Sequence, residues 1–320
     1  MLLSQIIAVI VTACVTMFGG AEVIGQNFPV KPVRIVTGGI GTNSESVSRI
    51  VAHGMSDVLG QQVIVDSRGG MISMEAVIKA APDGYTLLLQ GSGVWLLPLM
   101  RDNVPWEPLK DYASVAIISN APGVLIVHPS LPVKSVKDLI ALAKAKPGAL
   151  NYGSGNSGST SHLGPELLKA MAGINIVRVN YKGSGAALNA LMAGEIQLSI
   201  ASAGTVTAQI KSGRVRALAV TDGRRSALAP GLPTVGESGL PGYEANSIAA
   251  LFAPGKTPDA VIRRLNQAAV QILGRSDIKE KLYSLGVESV GSSPEEMGTL
   301  LKAEVSRWSK VIQDAGIRGE

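Results

Sequence analysis

The sequence predicts an α/β protein of two lobes, each built on a sheet flanked by helices. Three observations lead there. Short β-rich apolar runs alternate with helical patterns along the chain, the pattern of βα units with mainly parallel strands. One local grammar, a strand running into a Gly/Ser loop and then a helix, occurs twice: at Val33–Thr37 with residues 38–45, and at 150–152 with residues 153–160. The chain of 320 residues is long enough for two ordinary domains.

Taken in order, strands are expected at 33–37, 62–66, 85–90, 115–118, 124–128, 176–179, 196–201 and 217–221. The helix from Ser44 to Leu59 puts Val47, Ile50, Val51, Met55, Val58 and Leu59 on one face and stops at Gly60. Ser135 with Asp138 forms a capping box ahead of Leu139, Leu142 and Ala143, and Pro147-Gly148 ends that helix. The second Gly/Ser loop opens a helix bearing Leu163, Leu167, Ala170 and Met171. Thr257-Pro258 opens another, bearing Val261, Leu265 and Ile272. Ser293-Pro294 with Glu296 opens the last, bearing Leu300, Leu301, Val305, Trp308 and Ile312.

The first 26 residues stand apart. The apolar run from Ile6 to Phe18, followed by Gly19-Gly20-Ala21, has the length of a signal-peptide core and is short for a membrane span. No Lys or Arg precedes Lys31. The reading adopted is a signal peptide over residues 1–26 and a periplasmic location. The alternatives are a buried N-terminal helix and lipoprotein processing at Val11-Thr12-Ala13-Cys14, the latter lacking a preceding positive charge. Cys14 is the single cysteine, so the processed chain would carry none, which is compatible with the periplasm. Removing this segment deletes Glu22 and raises the formal charge of +5 by one. The basic residues are scattered and no basic tract is interleaved with aromatics, so nucleic-acid binding is not expected.

Four small-residue loops follow strands: residues 38–45, 91–95, 153–160 and 202–205. A helix N-terminus leaves unpaired N–H groups and about half a positive charge. Glycine lets a ligand approach the backbone, and Ser and Thr hydroxyls donate and accept. Such loops suit a carboxylate or phosphate without an arginine. Ligands of open α/β sheets bind beyond the carboxyl ends of the strands, where these loops must sit. The expected ligand contacts are Gly41, Thr42, Asn43, Glu45, Ser92, Gly93, Asn156, Ser157, Gly158, Ser159, Thr160, His162, Ala203 and Gly204. His162 either caps its helix or lines the cleft.

Gly153, Gly155 and Gly158 also match Gly-x-Gly-x-x-Gly, the dinucleotide fingerprint. That reading requires an acidic residue roughly twenty positions on. No Asp or Glu lies between Glu166 and Glu195. A Gly-x-Ser-x-Gly elbow is missing too, since Ser159 stands where its last glycine belongs. His53, His128 and His162 have no metal-ligand spacing. Neither a catalytic group nor a cofactor or metal site is expected. A nucleotide-dependent oxidoreductase remains the alternative class, and a ligand-sensing partner of a membrane receptor the third.

Across residues 28–316 the chain resembles the Bug (TctC-like) solute-binding proteins of tripartite tricarboxylate transporters. The resemblance rests on ordered motifs: Phe28-Pro29-Val30-Lys31-Pro32-Val33-Arg34-Ile35-Val36, Ala81-Pro82-Asp83-Gly84-Tyr85, Leu150-Asn151-Tyr152-Gly153-Ser154-Gly155, Ser161-His162-Leu163, Tyr181-Lys182-Gly183, Arg216-Ala217-Leu218-Ala219-Val220-Thr221, Leu232-Pro233-Thr234-Val235 and Gly239-Leu240-Pro241-Gly242-Tyr243. It implies a type II periplasmic-binding-protein fold: two lobes, a central cleft and two crossover strands, placed near 124–127 and 217–221. The lobes then comprise residues 27–125 with 221–320, and 126–220. It further implies a small carboxylate ligand, a monomer, delivery to integral-membrane permease subunits, large and small, and no catalysis. The family's ligand loops map onto residues 41–45, 91–93, 155–162 and 202–204. Thr42, Asn43 and Glu45 depart from its usual pattern, in which further glycines and an Asp stand there. Tyr181-Lys182-Gly183 is read as structural as readily as ligand-contacting.

Overall fold

The computed structural model describes residues 28–40, 42–155 and 158–318. The predicted signal segment therefore lies outside the described residues. Strand β1 (Val33–Thr37) leads into α1 (Asn43–Leu59), β2 (Val63–Ser67), α2 (Met71–Ile78), β3 (Thr86–Gln90), α3 (Gly93–Met100) and β4 (Tyr112–Ala121). Then follow β5 (Gly123–Val127), α4 (Val136–Ala145), β6 (Asn151–Ser154), α5 (Thr160–Ala172), β7 (Val177–Asn180), α6 (Ser184–Ala193), β8 (Leu198–Ser202), α7 (Ala203–Lys211) and β9 (Arg216–Val220). The chain ends with β10 (Ser247–Pro254), α8 (Asp259–Leu273), α9 (Ser276–Ser284), β11 (Glu288–Ser289) and α10 (Pro294–Asp314). One sheet has the order β11-β4-β10-β3-β1-β2, the other β7-β6-β8-β5-β9.

The sheets are mixed, not mainly parallel. Strands β1, β2 and β3 pair in parallel, as do β6, β7 and β8, but β10 runs antiparallel to β3 and β4, and β5 to β8 and β9. The reversal follows from the crossings. A βα strand ends at the interface between the sheets, whereas a strand arriving from the other sheet begins there and must run away from it. The outward crossing is a single residue, Pro122, between β4 and β5; the return runs from Thr221 to Asn246, between β9 and β10. A division at 125/126 cuts through β5, all of which pairs in the second sheet; 220/221 coincides with the end of β9.

The core follows period-two burial. Ile35, Leu87 and Leu89 meet Val47, Val51 and Met55 of α1 and Leu265 and Ile272 of α8 on one face of the first sheet. Val36 and Leu88 turn to the other face, toward Val94, Trp95, Tyr112 and Phe252. That second cluster continues without a break into the other lobe, through Tyr152, Leu163, Leu167 and Leu198. Helix α10 packs on α3 and β4 and reaches α5, with Trp308 in the same cluster, so it ties both lobes together.

Helix boundaries sit where the sequence placed them, with local differences. Thr42 Oγ1 accepts from the Glu45 amide, and Gly60, at φ 67, ends α1. Ser135 accepts from the Asp138 amide, yet the Asp138 carboxylate reaches back to the Lys134 amide. The Lys134 amide, and after it the Ser135 hydroxyl, favour the ionised carboxylate and hold the Asp138 pKa below its ordinary value. At α10 the box closes fully: Ser293 Oγ accepts from Glu296 N, and the Glu296 carboxylate accepts from Ser293 N. Strand β10 escapes sequence reading because Ser-Ile-Ala-Ala-Leu-Phe-Ala-Pro lacks both β-branched density and alternation; it is buried on both faces. Replacing Ser293 with Ala is expected to lower unfolding free energy by about 1 kcal/mol. Urea denaturation should show the midpoint falling at constant slope.

Candidate ligand-binding cleft

A cavity of about 450 Å³ opens between the sheets at the carboxyl ends of the βα strands. Helix N-termini from both lobes surround it. From the first lobe come Asn43, the first residue of α1, and Ser92, the N-cap of α3. From the second come Ser159, Thr160 and Ser161 at α5, Ser184 at α6, and Ser202 and Thr205 at α7. Ala121, Gly123 and Ser247 line it at the crossings, and Ile200 and Ala201 of β8 complete the wall. No charged side chain is among these described lining residues.

Strands β1, β3, β6, β7 and β8 release the chain at the cavity, so the helices that follow them turn their positive ends toward it. Helices α3, α5, α6 and α7 carry no side-chain cap hydrogen bond; some of their first-turn amides bond to nearby carbonyls instead, Val94 to Gly91, His162 to Ser159 and Ala203 to Pro122. Four of the lining hydroxyls pair with one another: Ser159 Oγ lies 3.0 Å from Ser161 Oγ, which accepts from the Gly155 amide, and Ser202 Oγ lies 2.6 Å from Thr205 Oγ1. The result is a polar chamber of dipoles and hydroxyls.

The glycine loop is fixed from below. Arg178 of β7 donates to Ser154 Oγ at 2.7 Å and to the Gly155 carbonyl at 3.3 Å. Tyr152 donates to Glu166 at 2.5 Å across β6 and α5, and Lys169 pairs with the same carboxylate. Burial, then the Glu166 carboxylate, push the phenol pKa far up, so it stays a donor. Gly155 does not have a positive φ. A Cβ there would stand 3.0 Å from the Ser184 amide nitrogen and 3.2 Å from Gly183 C. Glycine at 155 is therefore what lets the chain leaving β6 lie against the start of α6.

Of the expected contacts, the structure brings Asn43, Ser92, Ser159 and Thr160 to the cavity. Gly158 faces a small adjoining chamber shared with Ser92 and Thr160; its φ is 79, and a Cβ there would meet Met100 Cε of the other lobe at 2.6 Å. Thr42, Glu45, Gly93, His162, Ala203 and Gly204 are not lining residues. Thr42 caps α1. Glu45 is buried and ion-paired with Arg49, a turn further along α1. His162 is 3 % exposed, and its Nδ1 accepts from the Gly158 amide, so it holds the loop from behind. Gly93 lies against Met74, where a Cβ would approach Cε to 3.1 Å. Ala203 is buried, with its amide on the Pro122 carbonyl. Gly204 meets Gly286 across the lobes, where a Cβ would come within 2.7 Å of the partner Cα. Glu45 and His162 lie behind the cavity because the first helical turn points successive side chains in different directions. Gly41, Asn156 and Ser157 lie outside the described residues.

Ser161, Ser202 and Thr205 fall inside the expected loops but were not singled out. Ser184, Ser247, Ala121, Gly123, Ile200 and Ala201 were missed. Ser184 had a signal, since Gly183-Ser184-Gly185 follows a strand and opens a helix in the same grammar. Ser247 lies on the strand the sequence did not reveal.

Residues 47–317 match the tripartite tricarboxylate transporter family receptor, TctC. The chain belongs to this family. Among curated relatives, Protein BugT of Bordetella pertussis is 33% identical, covering 99% of both chains. The solved structure of R. palustris Rpa4515 with adipate is 35% identical at a TM-score of 0.75, covering 91% of this chain and 99% of that one. MatC from Rhodopseudomonas palustris, with bound malate, is 27% identical at 0.72, covering 89% and 100%. The fold is thus that of the periplasmic binding proteins, and the TctC receptor is a solute-binding protein, not an enzyme. This overturns the dinucleotide oxidoreductase alternative.

Replacing Gly155 with Ala should force the end of β6 and the start of α6 apart and destabilise the fold by roughly 1–3 kcal/mol, as overpacking does. Chemical denaturation beside the wild type measures this.

Proposed function

We propose that this TctC receptor works outside the cytoplasm, holding a small carboxylate in the cavity between its lobes and handing it to a membrane permease of large and small subunits. The observation that carries the proposal is the convergence of five helix N-termini, two from one lobe and three from the other, on a chamber whose described lining has no charged side chain. An organic anion supplies the charge that this arrangement favours. Charge-assisted hydrogen bonds contribute roughly 1.5–3 kcal/mol each, so a few suffice for micromolar affinity, about −8 kcal/mol. Hydrogen bonds from both lobes to one ligand draw the lobes together about the crossings at Pro122 and residues 221–246, which act as the hinge. The adipate and malate in the related structures support the same class of ligand. Residues 1–26 serve as the export signal, and the receptor acts as a monomer.

Isothermal titration of the chain lacking residues 1–26 against succinate, malate, adipate, citrate, aspartate and glutamate tests this reading. At least one ammonium-free carboxylate is expected to bind with micromolar or tighter Kd. Aspartate should bind less tightly than succinate, because no described lining residue offers a carboxylate to an ammonium group. Silence across the panel overturns the proposal. Replacing Ser159 with Leu fills the cavity without removing a cap bond, since Ser159 makes none. This variant should melt like the wild type and bind at least about tenfold more weakly, a loss of about 1.4 kcal/mol.

A further inference from the structure

Ile200 is the one large apolar side chain among the described residues lining the cavity, the others being small or polar. It stands near the end of β8 and is only 1 % exposed. Two glycines hold it. A Cβ on Gly123 would stand 2.9 Å from Ile200 Cγ2, and a Cβ on Gly164 would stand 2.7 Å from Ile200 Cδ1. Neither glycine has a positive φ, so backbone conformation does not demand glycine at these positions. Gly164 lies inside α5, where glycine is unfavourable. Space is what it supplies: a Cβ there would also crowd the Tyr243 hydroxyl at 3.3 Å and Ala245 at 3.4 Å. The Tyr243 hydroxyl donates to the Gly164 carbonyl at 2.9 Å, closing the far side.

From this clamp we infer that Ile200 is the specificity-determining floor of the cavity, setting how long a carbon skeleton a bound carboxylate can have. The inference rests on the carboxylate reading above. The hydroxyls and helix ends around the cavity recognise carboxylate groups but do not measure the carbon chain between them. Ile200 meets that chain. Its β-branched side chain has little χ1 freedom, and its Cγ2 and Cδ1 methyls are seated in the notches left by Gly123 and Gly164, so it behaves as a rigid wall. Shortening it joins the cavity to the notch between Gly123 and Gly164 that its methyl groups now fill, with the Tyr243 hydroxyl behind Gly164.

The test is titration of wild type, Ile200→Val and Ile200→Ala with the linear dicarboxylates succinate, glutarate, adipate, pimelate and suberate. In Ile200→Ala the affinity ratio of suberate to succinate should rise about tenfold or more, the effect of changing one or two methylenes in an apolar pocket. Ile200→Val should shift the same ratio in the same direction by less. A uniform loss across all five acids, or an unchanged order of preference, overturns the inference while leaving the carboxylate reading intact. Wild-type silence toward every acid removes that reading and this inference with it. Should Ile200→Ala fail to melt cooperatively, the Ile200→Val ratio decides: an unchanged ratio overturns the inference.

Discussion

Peptide dipoles that add along a helix leave their positive ends where the preceding strand stops, and here the βα strands of both sheets stop at one interface. That coincidence is the constraint on which the rest of the structure depends. It turns the positive ends of five helices toward the cleft before any side chain is chosen. It also requires β5 and β10 to be antiparallel, because a strand that begins at the interface must run away from it. The mixed sheets and the polar, uncharged lining of the cleft are two consequences of one arrangement of strand directions.

Gathering positive helix ends in one place is unfavourable by itself, and the surrounding structure holds them there. Arg178 fastens the Ser154-Gly155 turn, and the Tyr152–Glu166–Lys169 network locks α5 to β6. Helix α10 and the apolar cluster through Trp308, Tyr152 and Leu163 span the lobes behind the cavity. Near the crossings, Asn120 donates to Asp222, and Ser226 donates to Glu288 at 2.5 Å. Short hydroxyl side chains have few rotamers to lose, so little side-chain order has to be gained when a ligand arrives, which favours affinity.

The glycines show how differently one residue type is used. Gly60, Gly173 and Gly194 end helices in the left-handed region, a role readable from their place after an apolar stripe. Gly155, Gly164 and Gly123 serve only space, at the start of α6, at Ile200 and at the hinge. In the sequence these two uses look alike. The same ambiguity made residues 153–158 resemble a dinucleotide fingerprint, although Gly155 admits a neighbouring helix.

By itself the sequence determined the fold class, most strands to within a few residues, the stop of α1 at Gly60, the N-caps of α4 and α10, and loops that the structure brings to the cavity. All of these are local, carried by periodicity, capping residues and turn chemistry within a few positions. Tertiary structure decided the rest. Which residues of each loop face the cavity depended on the turn each helix makes as it starts: Asn43 and Thr160 face inward while Glu45 and His162 are buried behind. Ser184, Ser247 and Ile200 became site residues only when strands distant in sequence were laid side by side. Strand order and chain crossings set that proximity through packing between residues far apart in the chain, which no local pattern encodes.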